Sequence, residues 1–185
     1  MKSLSRRTQK TDSTEATMFE LKPITRDGVS TALHKAERYR LLNEPTAAES
    51  ICRDVLECDP DNQQALIMLV LALSDQFALG GEMSAAVHAA RDVLGKVRDE
   101  YKRAYYNGII CERRAKAQMR RGAPGAEEIA YDWFREAMEW YEKAERLRPA
   151  GNDEAILRWN TCARLLNRDE HLRPAAEPTY EPSFE

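Results

Sequence analysis

The sequence predicts an all-α protein of about seven helices, and three observations carry this prediction. Apolar residues recur with helical spacing almost without interruption from Thr25 to Arg168. The chain holds only 8 glycines and 8 prolines, and most of them lie between the periodic segments or near the ends of the chain. No segment alternates apolar and polar residues as a half-buried strand would.

Helix-breaking residues divide the periodic region into its elements. Pro45 is placed to open the second helix, because proline fits the first turn of a helix, and the segment around Pro60 ends it. A glycine pair stops the third helix, Gly122 stops the long fifth helix, and Asn152 or Asp153 caps the seventh. The predicted helices are approximately 27–43, 45–59, 62–79, 82–96, 98–121, 126–147 and 153–168.

Composition separates two terminal segments from the helical region. Residues 1–22 are rich in Ser, Thr, Lys and Arg, lack periodicity, and are predicted to form a disordered N-terminal arm. Residues 23–168 form the predicted helical domain. Residues 169–185 contain three prolines and are predicted to form a Pro-rich, acidic, disordered tail, because so many prolines prevent a packed helix.

The composition argues against an enzyme and against a dedicated nucleic-acid binder. The formal net charge is −3, whereas nucleic-acid-binding domains usually carry a basic excess. No phosphate-binding loop, nucleophile elbow, HExxH motif or dinucleotide-binding turn is present, so neither a catalytic residue nor a cofactor is predicted. No secretory signal and no membrane-spanning apolar run is found, which predicts a cytoplasmic protein without a membrane partner.

The four cysteines predict buried, reduced thiols. They are Cys52, Cys58, Cys111 and Cys162, and three of them fall within periodic apolar segments. No pair has C-x-x-C spacing, and no histidine lies near a cysteine at the spacing of metal ligands. Neither a disulfide nor a metal site is therefore predicted.

Small and aromatic residues recur at fixed distances before a proline. Counted back from Pro60, a unit that begins at Val29 has Ala36, Tyr39 and Ala48 at its eighth, eleventh and twentieth positions. This pattern resembles the tetratricopeptide repeat (TPR), a unit of about 34 residues in two antiparallel helices. In that family small residues allow two helices to approach closely, and a proline ends the second helix.

A second proline closes a similar unit. Before Pro149, the second helix of this unit carries Ala137, Tyr141 and Ala144, and its first helix has Gly108 at the eighth position. A less regular unit lies between the two, and the last helix resembles a capping helix. The resemblance covers about 140 of the 185 residues. It implies a right-handed superhelical array of antiparallel helix pairs, with about three units and a C-terminal cap.

The resemblance also implies a groove that binds another protein or peptide, because the first helix of each TPR pair lines a concave surface. Mapped onto this sequence, the centre of the groove is apolar and aromatic, and charged residues gather at its edges. The alternative is that some of these side chains pack against neighbouring helices. The predicted groove residues are Leu33, Arg40, Ile67, Met68, Leu71, Tyr105, Tyr106, Ile109, Arg113, Leu157 and Arg158.

The expected function is a non-enzymatic adaptor, and two alternatives remain open. One is a small TPR chaperone that shields a client protein. The other is a binder of nucleic acid or acidic protein through a cationic cluster at the end of the fifth helix, which could equally be a solvated face that stabilises the helix. The cluster comprises Arg113, Arg114, Lys116, Arg120 and Arg121. The family's carboxylate clamp lacks its asparagines here, so recognition of a chaperone C-terminus is not expected.

The tail contains a short tandem repeat. Glu177-Pro-Thr-Tyr180 is followed directly by Glu181-Pro-Ser-Phe184. The segment is either an acidic disordered end or a linear motif. As a motif, its aromatic residues would dock in a groove of the same copy, of a second copy or of a partner, so self-association through the tail is possible.

Overall fold

The computed structural model describes residues 19–80 and 82–175, and in these ranges every regular element is helical. The all-α prediction is therefore confirmed. The predicted N-terminal arm lies outside the described residues up to residue 18, as does the tandem repeat of the tail. The α-helices of the described residues are α1 (Val29–Leu41), α2 (Pro45–Cys58), α3 (Gln63–Asp75), α4 (Met83–Leu94), α5 (Glu100–Arg121), α6 (Ala126–Leu147) and α7 (Glu154–Arg168).

Local capping chemistry sets most helix boundaries. The side chains of Asn62 and Asp99 each accept a hydrogen bond, 2.9 Å long, from the backbone N–H three residues later, and so begin α3 and α5. Pro45 occupies the first turn of α2 as expected. The third helix is shorter than predicted, because α3 ends at Asp75 and a 3-10 turn, Gln76–Ala78, follows it.

The helices pack in chain order around one continuous set of apolar clusters. Each helix contacts the next, and α1 also contacts α3 while α3 contacts α5. The largest cluster joins α5, α6 and α7 around Phe134 and Tyr141. A second joins α3, α4 and α5 around Leu66 and Phe77, and smaller clusters bind α1 and α2 to α3. The helix pair α5 and α6 has the most extensive contact of all.

Gly108 allows α5 and α6 to approach closely. A Cβ atom at this position would lie only 2.4 Å from Cε1 of Tyr141, a distance that no real Cβ contact shows. Tyr141 is 1% exposed, so its ring has no free space into which it could move. The ring therefore fills the space beside a backbone without a side chain.

The other residues of the repeat pattern lie either in or beside the core or in the turns after the helices. Ala36, Ala48, Ala137 and Ala144 are all fully buried, and Tyr39 is half-buried. Pro60 and Pro149 are exposed, and each lies two residues beyond the end of its helix, α2 or α6. The small residues thus lie in the core, while the prolines lie in the turns.

The predicted disordered tail begins at residue 169, but residues 172 and 173 contact the helical domain. The side chain of Leu172 is fully buried in the cluster formed by α5, α6 and α7. The guanidinium of Arg173 donates hydrogen bonds to the carbonyls of Leu166, Asp169 and Leu172, at 2.9 to 3.1 Å. The segment after α7 therefore packs on the domain, because Leu172 is buried in the apolar cluster and the guanidinium of Arg173 pairs with carbonyls at the open end of the last helix.

We expect Leu172→Ala to lower the free energy of unfolding by about 2 kcal/mol or more, because it leaves a cavity in the cluster of α5, α6 and α7. Urea denaturation of the full chain measures this change. Leu157→Ala is the control, because that leucine is 64% exposed and its loss removes little buried area. Equal stabilities of the two variants would contradict the packing of Leu172.

Candidate protein-binding groove

The predicted groove residues lie on α1, α3, α5 and α7, and we call the surface formed by these four helices the groove face. Leu157 is 64% exposed and is the most accessible apolar residue among them. Leu33, Met68 and Ile109 are buried. The remaining predicted residues are half-buried: Arg40, Ile67, Leu71, Tyr105, Tyr106, Arg113 and Arg158.

Three of the predicted groove residues are core residues, which corrects their expected role. Leu33 packs with Val55 of α2, and Met68 belongs to the cluster that binds α1 and α2 to α3. Ile109 is 3% exposed within the cluster of α5, α6 and α7. These side chains leave little surface for a partner, because contacts with neighbouring helices already cover them.

The tyrosines of α5 form an aromatic group at one end of the groove face. The rings of Tyr101 and Tyr105 are stacked with centroids 6.0 Å apart, and Tyr106 meets Tyr105 edge-on at 5.2 Å. Tyr105 also lies 6.0 Å from the buried ring of Tyr141. Such ring pairs hold one another in place, so the accessible edges of Tyr105 and Tyr106 are presented by a rigid support.

Asp75 joins three helices of the groove face. Its Oδ2 accepts a hydrogen bond from Nε of Arg40 at 2.7 Å, and its Oδ1 pairs with Nη2 of Arg113 at 2.9 Å. Arg113 also donates to the carbonyl of Leu71 and to Oγ of Ser74, at 3.0 and 2.6 Å. These charged groups thus join α1, α3 and α5 at the C-terminal ends of α1 and α3.

Glu112 is the most deeply buried charged group of the face, at 1% exposure. Its Oε2 accepts a hydrogen bond from the hydroxyl of Tyr141 at 2.7 Å, and its Oε1 accepts from Lys116 and pairs with Arg158 at 3.4 Å. Burial alone would raise the pKa of Glu112. The hydrogen bonds from Lys116 and Tyr141 and the nearby cations outweigh burial and lower this pKa below its usual range.

A cavity of about 300 Å³ opens between these two ion-pair groups. We call it the cationic cavity. It lies among the C-terminal part of α3, the second half of α5 and the middle of α7. Its charged lining consists of Asp75, Glu112, Arg113, Lys116, Arg120 and Arg158.

The cationic cluster at the end of α5 is split between two faces of that helix. Arg113, Lys116 and Arg120 line the cationic cavity together, as their helical spacing predicted. Arg114 instead lies over the ring of Trp133 on α6, with its guanidinium carbon 3.9 Å from the ring centroid. The cluster is therefore not one uniform solvated stripe.

The repeat pattern places Asp75 and Glu112 on helices that line the groove, but it did not predict their ion-pair partners. The only local signal was a glutamate directly after Ile109, Ile110 and Cys111, in a stretch of α5 that is otherwise buried. The partners of Glu112 on α6 and α7 are 29 and 46 positions away along the chain. No periodicity within α5 could identify them.

The cysteines do not contribute reactive chemistry to the face. All four are free thiols, and Cys52, Cys111 and Cys162 are buried, as the sequence predicted, while Cys58 is half-buried. Burial raises the pKa of each of the three buried thiols to about 12. These three groups remain protonated and unreactive at neutral pH.

Comparisons with other proteins assign no function to this chain. No protein-family model, no curated protein and no solved structure matches the chain. Within residues 19–80 and 82–175, none of the helices combines the length and the apolar character that crossing a membrane requires.

Proposed function

We propose that this chain is a non-enzymatic adaptor that binds a peptide or helix of another protein on its groove face. In this proposal the seven helices form a TPR-like, right-handed superhelical array of antiparallel helix pairs, and α7 caps its last pair. The single observation that carries the proposal is a face built from four different helices, with accessible aromatic and apolar side chains beside a charged cavity.

The packing of the helices supports the array. Helices α1, α3 and α5 contact one another in order, as the first helices of successive pairs do in such an array, and α2, α4 and α6 alternate with them in the chain. Fully buried Ala36 and Ala48 and the close approach at Gly108 lie at positions where the repeat requires small residues.

The chemistry of the face supports protein binding. Leu157 is largely exposed, and the half-buried rings of Tyr105 and Tyr106 are held by their neighbours. Tyrosines that are already ordered lose little conformational entropy on binding and are frequent energetic centres of interfaces. Leu157 adds an exposed apolar side chain on α7 of the same face.

We expect the double variant Tyr105→Ala/Leu157→Ser to recover at least about tenfold less partner than the wild type in affinity capture with mass spectrometry. Both side chains lie on the groove face, so their loss removes apolar contact area without removing a charged group. Leu147→Ser is the matched control, because Leu147 is 40% exposed on α6, outside the face. Circular dichroism melting verifies that both variants fold.

Two results of this capture experiment would count against the adaptor. The same partners at the same yield from the wild type and the double variant would show that the groove face is not the binding surface. Recovery of one unstable client, rather than of stable proteins that the chain bridges, would favour the small chaperone instead.

A further inference from the structure

The cationic cavity carries more positive than negative charge. Four cationic side chains line it, and only two carboxylates do. Arg40, which pairs with Asp75 from α1, adds a fifth cation at its border. The lining cations are Arg113, Lys116, Arg120 and Arg158, and the lining carboxylates are Asp75 and Glu112.

Both carboxylates are already engaged by several partners. Asp75 uses one oxygen for Arg40 and the other for Arg113. One oxygen of Glu112 accepts from the hydroxyl of Tyr141, and the other is shared by two cations of the cavity. The fixed carboxylates therefore cannot neutralise all of the positive charge that faces the cavity.

The cations keep binding capacity for an incoming anion. The contact from Nη1 of Arg158 to Glu112 is 3.4 Å, which is longer than a strong charge-assisted hydrogen bond of about 2.7–2.9 Å. Burial lowers the pKa of Arg113, and although Asp75 opposes this, the positive charges of Arg40 and Arg158 contribute to the lowering. A carboxylate in the cavity would relieve this mutual repulsion and accept charge-assisted hydrogen bonds from these cations.

The tyrosines of α5 lie at a peptide-sized distance from the cavity cations of the same helix, while Arg158 of α7 is hydrogen-bonded to Tyr105. Tyr106 and Arg113 are seven positions apart on α5, and Tyr105 and Lys116 are eleven apart. At 1.5 Å per residue these separations span roughly 10 to 16 Å along the helix. An extended peptide covers that distance in about three to five residues.

We propose that the cationic cavity binds the acidic side chains of an extended peptide segment of a partner protein. An aromatic or apolar side chain of the same segment, three to five residues away, would lie on Tyr105 and Leu157. This inference rests on the adaptor function proposed above and specifies its ligand class. The two fixed carboxylates favour a peptide with separate acidic groups over nucleic acid, because they would repel a continuous phosphate backbone.

A designed peptide tests the proposal on the full chain. The probe is the fluorescein-labelled, end-blocked peptide Glu-Glu-Ser-Ser-Tyr-Ser-Ser-Glu-Glu, whose central tyrosine has an acidic pair on each side, so that either chain direction fits. Its partner probe carries glutamine in place of every glutamate. By fluorescence anisotropy we expect the glutamine peptide to bind at least about tenfold more weakly, and we expect added salt to weaken only the acidic peptide.

Matched charge removal locates the binding site. We expect Lys116→Gln/Arg120→Gln to weaken binding of the acidic peptide about tenfold. Lys96→Gln/Arg98→Gln removes the same charge from an exposed turn outside the cavity and should change the affinity less than about twofold. If the double variant is unstable, Arg120→Gln alone is measured instead, because the side chain of Arg120 is exposed.

Three results would overturn the inference. Equal affinity of both peptides, or no binding of either, would exclude acid recognition, whereas the capture experiment would still decide the adaptor function separately. Stronger binding of a single-stranded oligonucleotide than of the acidic peptide would identify nucleic acid as the ligand. Binding of the peptide only after deletion of residues 176–185 would show that the chain's own acidic segment, and not a partner, occupies the cavity.

Discussion

Replacement of Glu112 by alanine is expected to lower the free energy of unfolding by about 3 kcal/mol. The carboxylate is 1% exposed, and its loss leaves the buried hydroxyl of Tyr141 without its acceptor. Lys116 and Arg158 lose their shared counter-charge at the same time. Both cations are more than one-third exposed, so water compensates part of their loss, which places the effect at the low end for a buried ion-pair centre.

Urea denaturation measures this effect against two further variants. Glu112→Gln keeps an oxygen acceptor for Tyr141 and should lose less stability than the alanine variant. Glu139→Ala changes an exposed glutamate of α6 and should stay within about 0.5 kcal/mol of the wild type. If Glu112→Ala proves as stable as Glu139→Ala, Glu112 does not organise the junction of α5, α6 and α7.

The stabilisation by Glu112 should depend on pH. Its folded-state pKa lies below the usual value of 4.5, so the unfolded chain binds the proton more readily than the folded chain. The contribution is therefore complete above the unfolded pKa and is lost as the pH falls through the folded pKa. We expect the difference in unfolding free energy between the wild type and Glu112→Gln to be constant near neutral pH and to shrink as the pH falls below 4.5. A difference that grows with acidity would contradict the direction of this pKa shift.

Gly108→Val is expected to lower the free energy of unfolding by about 3 kcal/mol or more, because even the first added carbon would lie 2.4 Å from the Tyr141 ring. The Tyr141 ring is fully packed, and its hydroxyl is hydrogen-bonded to Glu112. Helices α5 and α6 must therefore separate to accommodate the valine side chain. Gly108→Ala adds the same first carbon atom and makes the same overlap with the ring. Alanine is favoured over glycine in a helix by about 0.5–1 kcal/mol, and this gain offsets only part of the cost of the overlap.

A double-mutant cycle separates this overlap from a general effect on the helix. In a Tyr141→Ala background the space opposite residue 108 is open, so Gly108→Val should cost much less there than in the wild type. Gly95→Ala serves as the glycine control, because its added carbon would meet its nearest neighbour at an ordinary 3.4 Å. If the cost of Gly108→Val is equal in both backgrounds, the ring and the glycine are not coupled.

Local sequence signals were sufficient to predict the helices, but they were not sufficient to predict the surface that the helices form together. Pro45 and Gly122 act on their immediate neighbours, and the boundaries they predict agree with the structure to within a few residues. In contrast, the pattern that assigned Leu33, Met68 and Ile109 to a groove could not distinguish a groove wall from a helix interface. Both environments favour apolar residues at the same helical spacing.

The tail illustrates the same limit. Proline and acidic composition correctly exclude a helix in the described residues after α7, yet Leu172 is buried there. A single leucine among polar residues has no periodicity to reveal it. Its burial depends on the position of α5 and α6 beside the end of α7, which no composition window includes.

By itself, the sequence determined that the described residues form an all-α fold, and it gave the approximate positions of the turns between their helices. Those features follow from backbone hydrogen bonding, capping and side-chain size within about one helical turn. Only the tertiary structure decided that Asp75 meets Arg40, 35 positions away, and that Glu112 meets Tyr141, 29 positions away. These ion-pair and hydrogen-bond partners lie on different helices and meet only when the helices pack together. The cationic cavity therefore forms only in the folded chain.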